Sequence, residues 1–132
     1  FDPEASVDFN GNTGPFIQYA HARIQSLLRK QQPEALQLNV SLQLEGKEKE
    51  ILKHLMTYSE VISQAADQFS PALIANYLYE LVRLFNSFYQ NISVLGEPNE
   101  ELKSLRLLLC RAVANNLALA SSLLGISMPD RM

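Results

Sequence analysis

The chain has 132 residues, 47% hydrophobic and 19% charged, a composition that predicts one globular domain and excludes a disordered tail. Its formal net charge of -3 gives no overall attraction to phosphate, so any nucleic-acid contact must be local. The single cysteine, Cys110, excludes an internal disulfide and lies in an apolar run, which predicts a reduced core residue. Without an apolar stretch of about 18 residues or a secretion signal, the sequence favours a soluble, intracellular protein.

The opening of the chain has the composition of a linker. Gly11, Gly14 and Pro15 interrupt it, and the first residue is Phe rather than Met. We therefore expect residues 1–14 to be a linker that follows missing upstream sequence, and residues 15–132 to form one helical domain. The last four residues, 129–132, have the character of a natural C-terminus.

The first helix is predicted from Pro15 to Lys30, because proline is tolerated in the first turn and apolar residues recur at helical spacing. This apolar stripe consists of Ile17, Ala20, Ile24 and Leu28. Pro33 and the two preceding glutamines end the helix. The segment from Ala35 to Glu45 mixes leucine with polar residues and predicts a loop.

The second helix is predicted as one continuous element from Lys47 to Phe69. Its apolar face contains Ile51, Leu52, Leu55, Ser59, Ile62, Ala66 and Phe69. Glu48, Lys49 and Lys53 fall on the other side and are expected to face solvent.

Two further helices complete the predicted fold. Ser70-Pro71 combines an N-cap hydroxyl with proline at the first helical position, and the third helix extends to about Ile92. Its apolar stripe consists of Leu73, Tyr77, Leu81, Leu84, Phe88 and Ile92. The fourth helix follows the turn at Gly96 and Pro98 and ends at Gly125. Its inward residues are expected to be Leu102, Leu105, Leu109, Ala112, Val113, Ala120, Leu123 and Leu124.

The pattern predicts an all-α fold, a bundle of about four long amphipathic helices. Asn116 falls within the apolar stripe of the fourth helix, where an unpaired amide would cost about 1–3 kcal/mol. We therefore expect its side chain to bond to backbone or to a polar neighbour.

Residues that could perform catalysis or bind a metal are missing from the sequence. His21 and His54 have no second histidine or cysteine at metal-ligand spacing, so both are interpreted as surface histidines or satisfied core histidines. Neither a phosphate-cradling glycine loop nor a Ser, His and Asp triad is present. We predict no catalytic residue and no metal site.

A second stripe on the first helix alternates aromatic and basic side chains: Phe16, Tyr19, Arg23 and Lys30. Aromatic rings and arginine are the groups that hold the unstacked bases of RNA loops. The alternative is that the two aromatic residues widen the core stripe and Arg23 is solvated.

The third helix also has a polar face opposite its apolar stripe, formed by Asn76, Tyr79, Arg83, Asn86 and Gln90. These groups suit the edges of bases, and ordinary solvated surface explains them equally well. Tyr89 lies at the margin of the apolar stripe and could be either a core tyrosine or a stacking platform.

Three segments of the sequence together resemble the arginyl-tRNA synthetases. They are DFNGNTGPFIQYAHARI from Asp8 to Ile24, YLYELVRLFNSFYQ from Tyr77 to Gln90, and LGISMPDRM at the end. The first is similar to the segment by which these enzymes pass from the catalytic domain into a helical anticodon-binding domain of the DALR type. The literal tetrapeptide DALR is absent from this chain.

The resemblance implies which residues lie near the anticodon: Phe16, Tyr19, Arg23, Tyr89 and Met132. Phe16 replaces the tyrosine that is frequent at its position, which keeps a stacking face and removes a hydroxyl. Further RNA contacts are expected from Lys30, Asn76, Tyr79 and Arg83.

The resemblance also implies a parent enzyme that attaches arginine to its tRNA with ATP and magnesium. This chain lacks the HIGH-type and KMSKS-like signatures of that reaction, so the fragment is expected to need no cofactor and to have no activity of its own. Its expected partners are the anticodon loop of arginine tRNA and the catalytic domain, in the cytoplasm, with neither DNA nor membrane. The main alternative is a protein-interaction module that docks a partner helix.

Overall fold

The computed structural model describes residues 2–8, 11–34 and 42–132, and every regular element in these ranges is a helix. The helices are α1 (Pro3–Ser6), α2 (Gly14–Lys30), α3 (Gly46–Met56), α4 (Tyr58–Asp67), α5 (Pro71–Asn91) and α6 (Glu100–Ser122). The predicted all-α bundle is confirmed. None of the helices in the described ranges combines the length and apolar character needed to cross a bilayer.

Helix α5 is the centre of the bundle, since it packs against α2, α3, α4 and α6. It contributes five fully buried side chains, Leu78, Leu81, Val82, Phe85 and Phe88. The apolar stripe of α2 packs on the same core, as does Cys110 of α6, which is fully buried as predicted. The predicted loop from Ala35 to Glu45 lies outside the described residues up to position 41, and residues 42–45 are not helical.

The predicted second helix is two helices, because α3 ends and α4 begins at Thr57. The Thr57 hydroxyl and amide both donate to the carbonyl oxygen of His54, at 2.7 and 3.1 Å. A side chain that bonds to nearby backbone competes with the helical ladder, and here it turns the chain. The turn changes which face of α4 meets the core, so Ala65 is buried and Ala66, predicted to face inward, is exposed.

Other predicted core positions are also exposed: Leu52, Ser59, Phe69, Ala112 and Leu123. On α6 apolar residues cover much of the circumference, so helical spacing did not determine which side is buried. The stripe that packs inward contains Leu107, Cys110, Val113, Ala114 and Leu117.

Phe69 is 94% exposed and has a φ of 49°, a left-handed conformation that favours glycine. It lets the amide of Ser70 donate to the carbonyl oxygen of Ala65 at 2.9 Å, which ends α4. We expect Phe69→Gly to raise the free energy of unfolding by about 0.5–1 kcal/mol, because relief of strain exceeds the entropic cost of glycine. Urea denaturation measures this, and a loss of stability would contradict the argument.

Asn116 bonds to a polar neighbour as predicted: its Oδ1 accepts from the hydroxyl of Tyr77 at 2.7 Å. The same tyrosine stacks on His54, with ring centroids 4.4 Å apart, and its carbonyl oxygen bonds to Nε2 of that histidine. His54 is therefore a satisfied, half-buried histidine.

Two buried acids make the fold sensitive to alkali. Burial raises the pKa of the Cys110 thiol to about 12, and burial with the neighbouring charge of Tyr58 raises the pKa of Tyr77 to about 12. In the unfolded chain the Cys110 thiol begins to lose its proton near pH 9 and the Tyr77 hydroxyl near pH 10, whereas in the folded chain both keep their protons up to about pH 12. The free energy of unfolding therefore falls as the pH rises from about 9 to about 12. We expect Cys110→Ala to move the start of this decline upward by about one pH unit, as measured by urea denaturation across this range. An unchanged profile would contradict it.

Glu48 was predicted to face solvent and is instead 1% exposed, because it pairs with the buried guanidinium of Arg106, itself 3% exposed. Nε of Arg106 lies 2.6 Å from Glu48 Oε1, Nη1 2.6 Å from Glu97 Oε2 and Nη2 3.1 Å from Glu45 Oε1. Burial alone would lower the pKa of Arg106, but the hydrogen bond and charge of Glu48 and the other carboxylates raise it, so the guanidinium stays charged. This Arg106 cluster joins α3, the α5–α6 connection and α6.

Candidate nucleic-acid interface

Helix α2 places its aromatic and basic stripe beside its buried stripe. Thr13 caps the helix by accepting from the amide of Phe16 at 3.3 Å, and Pro15 occupies the first turn as predicted. With Ile17 and Ile24 buried in the core, Tyr19 is turned outward and is 43% exposed. The alternative was that both aromatic residues widen the core. It holds for Phe16, which packs against the core, and it fails for Tyr19.

Arg23 lies between two tyrosine rings. Its guanidinium carbon is 4.8 Å from the ring centroid of Tyr19 and 5.4 Å from that of Tyr89, and Nη1 donates to Asn86 Oδ1 at 3.3 Å. These are cation–π distances. The hydrogen bond and charge of Arg23 lower the pKa of the exposed Tyr19 hydroxyl. We call the four residues Tyr19, Arg23, Asn86 and Tyr89 the arginine–tyrosine surface.

The other predicted contacts are not among the four residues of this surface. Phe16 meets Tyr79 of α5 with ring centroids 5.5 Å apart, so these two rings join α2 to α5. Arg83 makes a bidentate ion pair with Glu80, at 2.7 and 2.8 Å, which offsets its charge. Asn76 and Lys30 are exposed, and neither is part of the arginine–tyrosine surface.

Residues 125–132, the C-terminal segment, lie along α2. Gly125, with a φ of 73°, turns the chain back at the end of α6. Three α2 side chains then hold three carbonyl oxygens of the segment: Gln18 bonds to Ser127, His21 to Pro129 and Arg29 to Asp130, at 3.0, 2.8 and 2.9 Å. His21 is 4% exposed, a satisfied core histidine.

The segment brings Met132 beside α2 and forms a depression there. We call it the α2–tail depression; it is lined by Tyr19, Ala22, Arg23, Ser26, Arg29, Arg131 and Met132. The structure thus brings together three predicted residues, Tyr19, Arg23 and Met132. Sequence reasoning missed Ser26, Arg29 and Arg131. Ser26 follows Arg23 by three residues and Arg29 follows Ser26 by three, a helical spacing that could have indicated both. Arg131 gave no signal because its place depends on the fold of the tail.

The described residues form an α-helical domain that exposes the ring of Tyr19 and several guanidinium groups. The family model for the DALR anticodon binding domain matches residues 17–132, and the chain belongs to that family.

Curated proteins and solved structures agree with this assignment. The chain is 53% identical over 132 residues to an arginine–tRNA ligase of Flavobacterium psychrophilum and 44% identical over 136 residues to one of Parabacteroides distasonis. The alignments cover 100% of this chain and 22% and 23% of those proteins, so the chain spans less than a quarter of their length.

The arginyl-tRNA synthetase of Thermus thermophilus has a similar structure, with a TM-score of 0.89 and 34% identity over 100% of this chain and 23% of that one. The enzyme of Plasmodium falciparum gives a TM-score of 0.81 and 29% identity, with the same coverage. The resemblance noted in three sequence segments is confirmed.

Proposed function

We propose that this chain is the anticodon-binding domain of an arginine–tRNA ligase, and that its arginine–tyrosine surface holds unstacked bases of the anticodon loop of arginine tRNA. The observation that carries the proposal is the position of Arg23 between the rings of Tyr19 and Tyr89. Met132 lines a depression with Tyr19 and Arg23, and Phe16 precedes Tyr19 by one turn of α2, so both would add apolar contacts.

The geometry supports stacking as the main source of binding energy. Tyr19 is exposed on the side of α2 away from the core, and the guanidinium of Arg23 extends its π surface toward Tyr89. Each base stacked on such a platform contributes about 1–3 kcal/mol. The hydrogen bond from Arg23 to Asn86 fixes the guanidinium before RNA arrives, which reduces the ordering cost of binding.

Contacts outside this surface are proposed to be secondary. Tyr79 packs on Phe16 and supports it, while Asn76 is exposed on α5 and can reach RNA only at the margin. Arg83 contributes less than its charge suggests because Glu80 already pairs with it. Lys30, exposed at the end of α2, supplies general attraction to phosphate.

The parent protein is proposed to attach arginine to tRNA with ATP and magnesium, in the cytoplasm. Its catalytic domain would precede residues 1–14, which include α1 and serve as the linker to the helical domain 15–132. The present chain would supply no reacting group. Its part would be to hold the tRNA so that the acceptor end reaches the active site, since correct positioning is itself a large component of catalysis.

Fluorescence anisotropy with labelled anticodon stem-loops tests this proposal. We expect the chain to bind the arginine stem-loop more tightly than the same stem-loop with an altered anticodon. Because the domain is net acidic, the affinity should depend only modestly on salt. Equal affinity for the two loops would contradict specific recognition by this surface.

A further inference from the structure

We propose that the α2–tail depression is a subsite for a backbone phosphate of the bound RNA, formed by Arg29, Arg131 and Ser26 beside Arg23. The proposal rests on the proposed function, because it names the part of the RNA that lies next to the arginine–tyrosine surface.

Positive charge is concentrated in this depression. Of the seven described residues that line it, three are arginines and none is acidic. The chain as a whole has 14 acidic residues against 11 lysines and arginines. An anion is therefore favoured at this local cluster of guanidinium groups and disfavoured over the rest of the acidic surface.

The site is built by tertiary contacts before any ligand binds. Nη1 of Arg29 donates to the carbonyl oxygen of Asp130, and Nδ1 of His21 bonds to that of Pro129. These bonds hold the carbonyl oxygens of Pro129 and Asp130 against α2, so the next residue, Arg131, lines the depression from the C-terminal segment. A guanidinium has five N–H donors, so Arg29 keeps donors for an anion after bonding to the tail.

The chemistry favours a phosphate over a base. Planar guanidinium forks match the paired oxygens of phosphate, and the hydroxyl of Ser26 adds a neutral donor on the wall formed by α2. Tyr19 belongs both to this depression and to the arginine–tyrosine surface. A base stacked on Tyr19 would consequently place the phosphate of its own or the adjoining nucleotide within reach of Arg29 and Arg131.

The test compares the wild-type chain with its Arg131→Gln variant in binding to arginine and altered anticodon stem-loops over a series of salt concentrations. A phosphate contact carries no sequence information, so we expect both affinities to fall by the same factor, about 5–10. The slope of log affinity against log salt should become shallower by about 0.7–1. Arg131→Lys, which keeps the charge, should restore the slope.

The matched control is Arg111→Gln, because Arg111 of α6 bonds to the Gln32 side chain and does not line the depression. It should leave affinity and salt slope unchanged. An Arg131→Gln variant with unchanged affinity and slope, or with a loss confined to the arginine loop, would overturn the phosphate subsite. Failure of the proposed function would be seen separately, as a wild-type protein that does not distinguish the two loops.

Discussion

Replacing Arg106 with methionine is expected to lower the free energy of unfolding by about 3–5 kcal/mol, the usual cost of removing one partner from a buried ion pair. Glu48 would remain 1% exposed without its cation, and Glu45 and Glu97 would lose the group that now brings them together. Urea denaturation followed by circular dichroism measures the change. If the variant is too unstable to purify, thermal melts in a stabilising osmolyte supply the same comparison.

Two further variants make this prediction specific to the Arg106 cluster. Arg83→Gln also breaks an arginine–carboxylate pair, but that pair lies on the surface of α5, so the melting temperature should hardly change. Adding Glu48→Gln to Arg106→Met should recover part of the lost stability, because it removes the uncompensated buried charge. Equal effects of Arg106→Met and Arg83→Gln would show that the cluster contributes no more than a surface pair.

Replacing Arg23 with glutamine is expected to weaken binding of the arginine anticodon stem-loop by about 10- to 100-fold, through loss of the cation and of the planar group between Tyr19 and Tyr89. Arg23→Lys retains the charge and loses the plane, so it should bind almost as weakly. Anisotropy titrations measure both losses, with Arg111→Gln as the control.

An intermediate result is expected for Asn86→Ala. This substitution leaves Arg23 in place and removes the acceptor that orients it, so the loss should be smaller than that of Arg23→Gln. If Arg23→Lys bound as tightly as wild type, Arg23 would act through charge alone, and the stacking account of this surface would be wrong.

Helix boundaries were predictable wherever a local signal specifies them. Pro15 and Pro71 each stand at the first turn of a helix, as expected, although Ser70 occupies the cap position of α5 without a side-chain cap bond. The break at Thr57 was missed because threonine is compatible with a helix interior. Only its bond to the carbonyl oxygen of His54 shows that the chain turns there.

The Arg106 cluster was not predictable from periodicity. Amphipathic patterns assign charged residues to the solvent side, and Glu48 was assigned there for that reason. Burial of Glu48 depends on a partner far along the chain in α6, and no local pattern encodes that pairing. The same limit explains why the place of the C-terminal segment beside α2 could not be derived from the residues alone.

In the candidate site, too, neighbours along one helix were predictable, and contacts between separate elements were not. Tyr19 and Arg23 were predictable as neighbours because residues four apart share a helix face, and the structure places their side chains in contact. The residues alone left Tyr89 open between a core tyrosine and a stacking platform, and Met132 entered through the family resemblance, since their approach to α2 depends on packing of α5 and of the tail. Binding of RNA by these residues is still a prediction.

An NMR titration of the isotope-labelled chain with the two stem-loops would test the central claim most directly. We expect chemical-shift changes that cluster around Phe16, Tyr19, Arg23, Tyr89 and Met132 with the arginine loop, and weaker or absent changes with the altered anticodon. Equal changes with both loops, or none at millimolar RNA, would contradict anticodon recognition by this surface and would favour docking of a protein partner in its place.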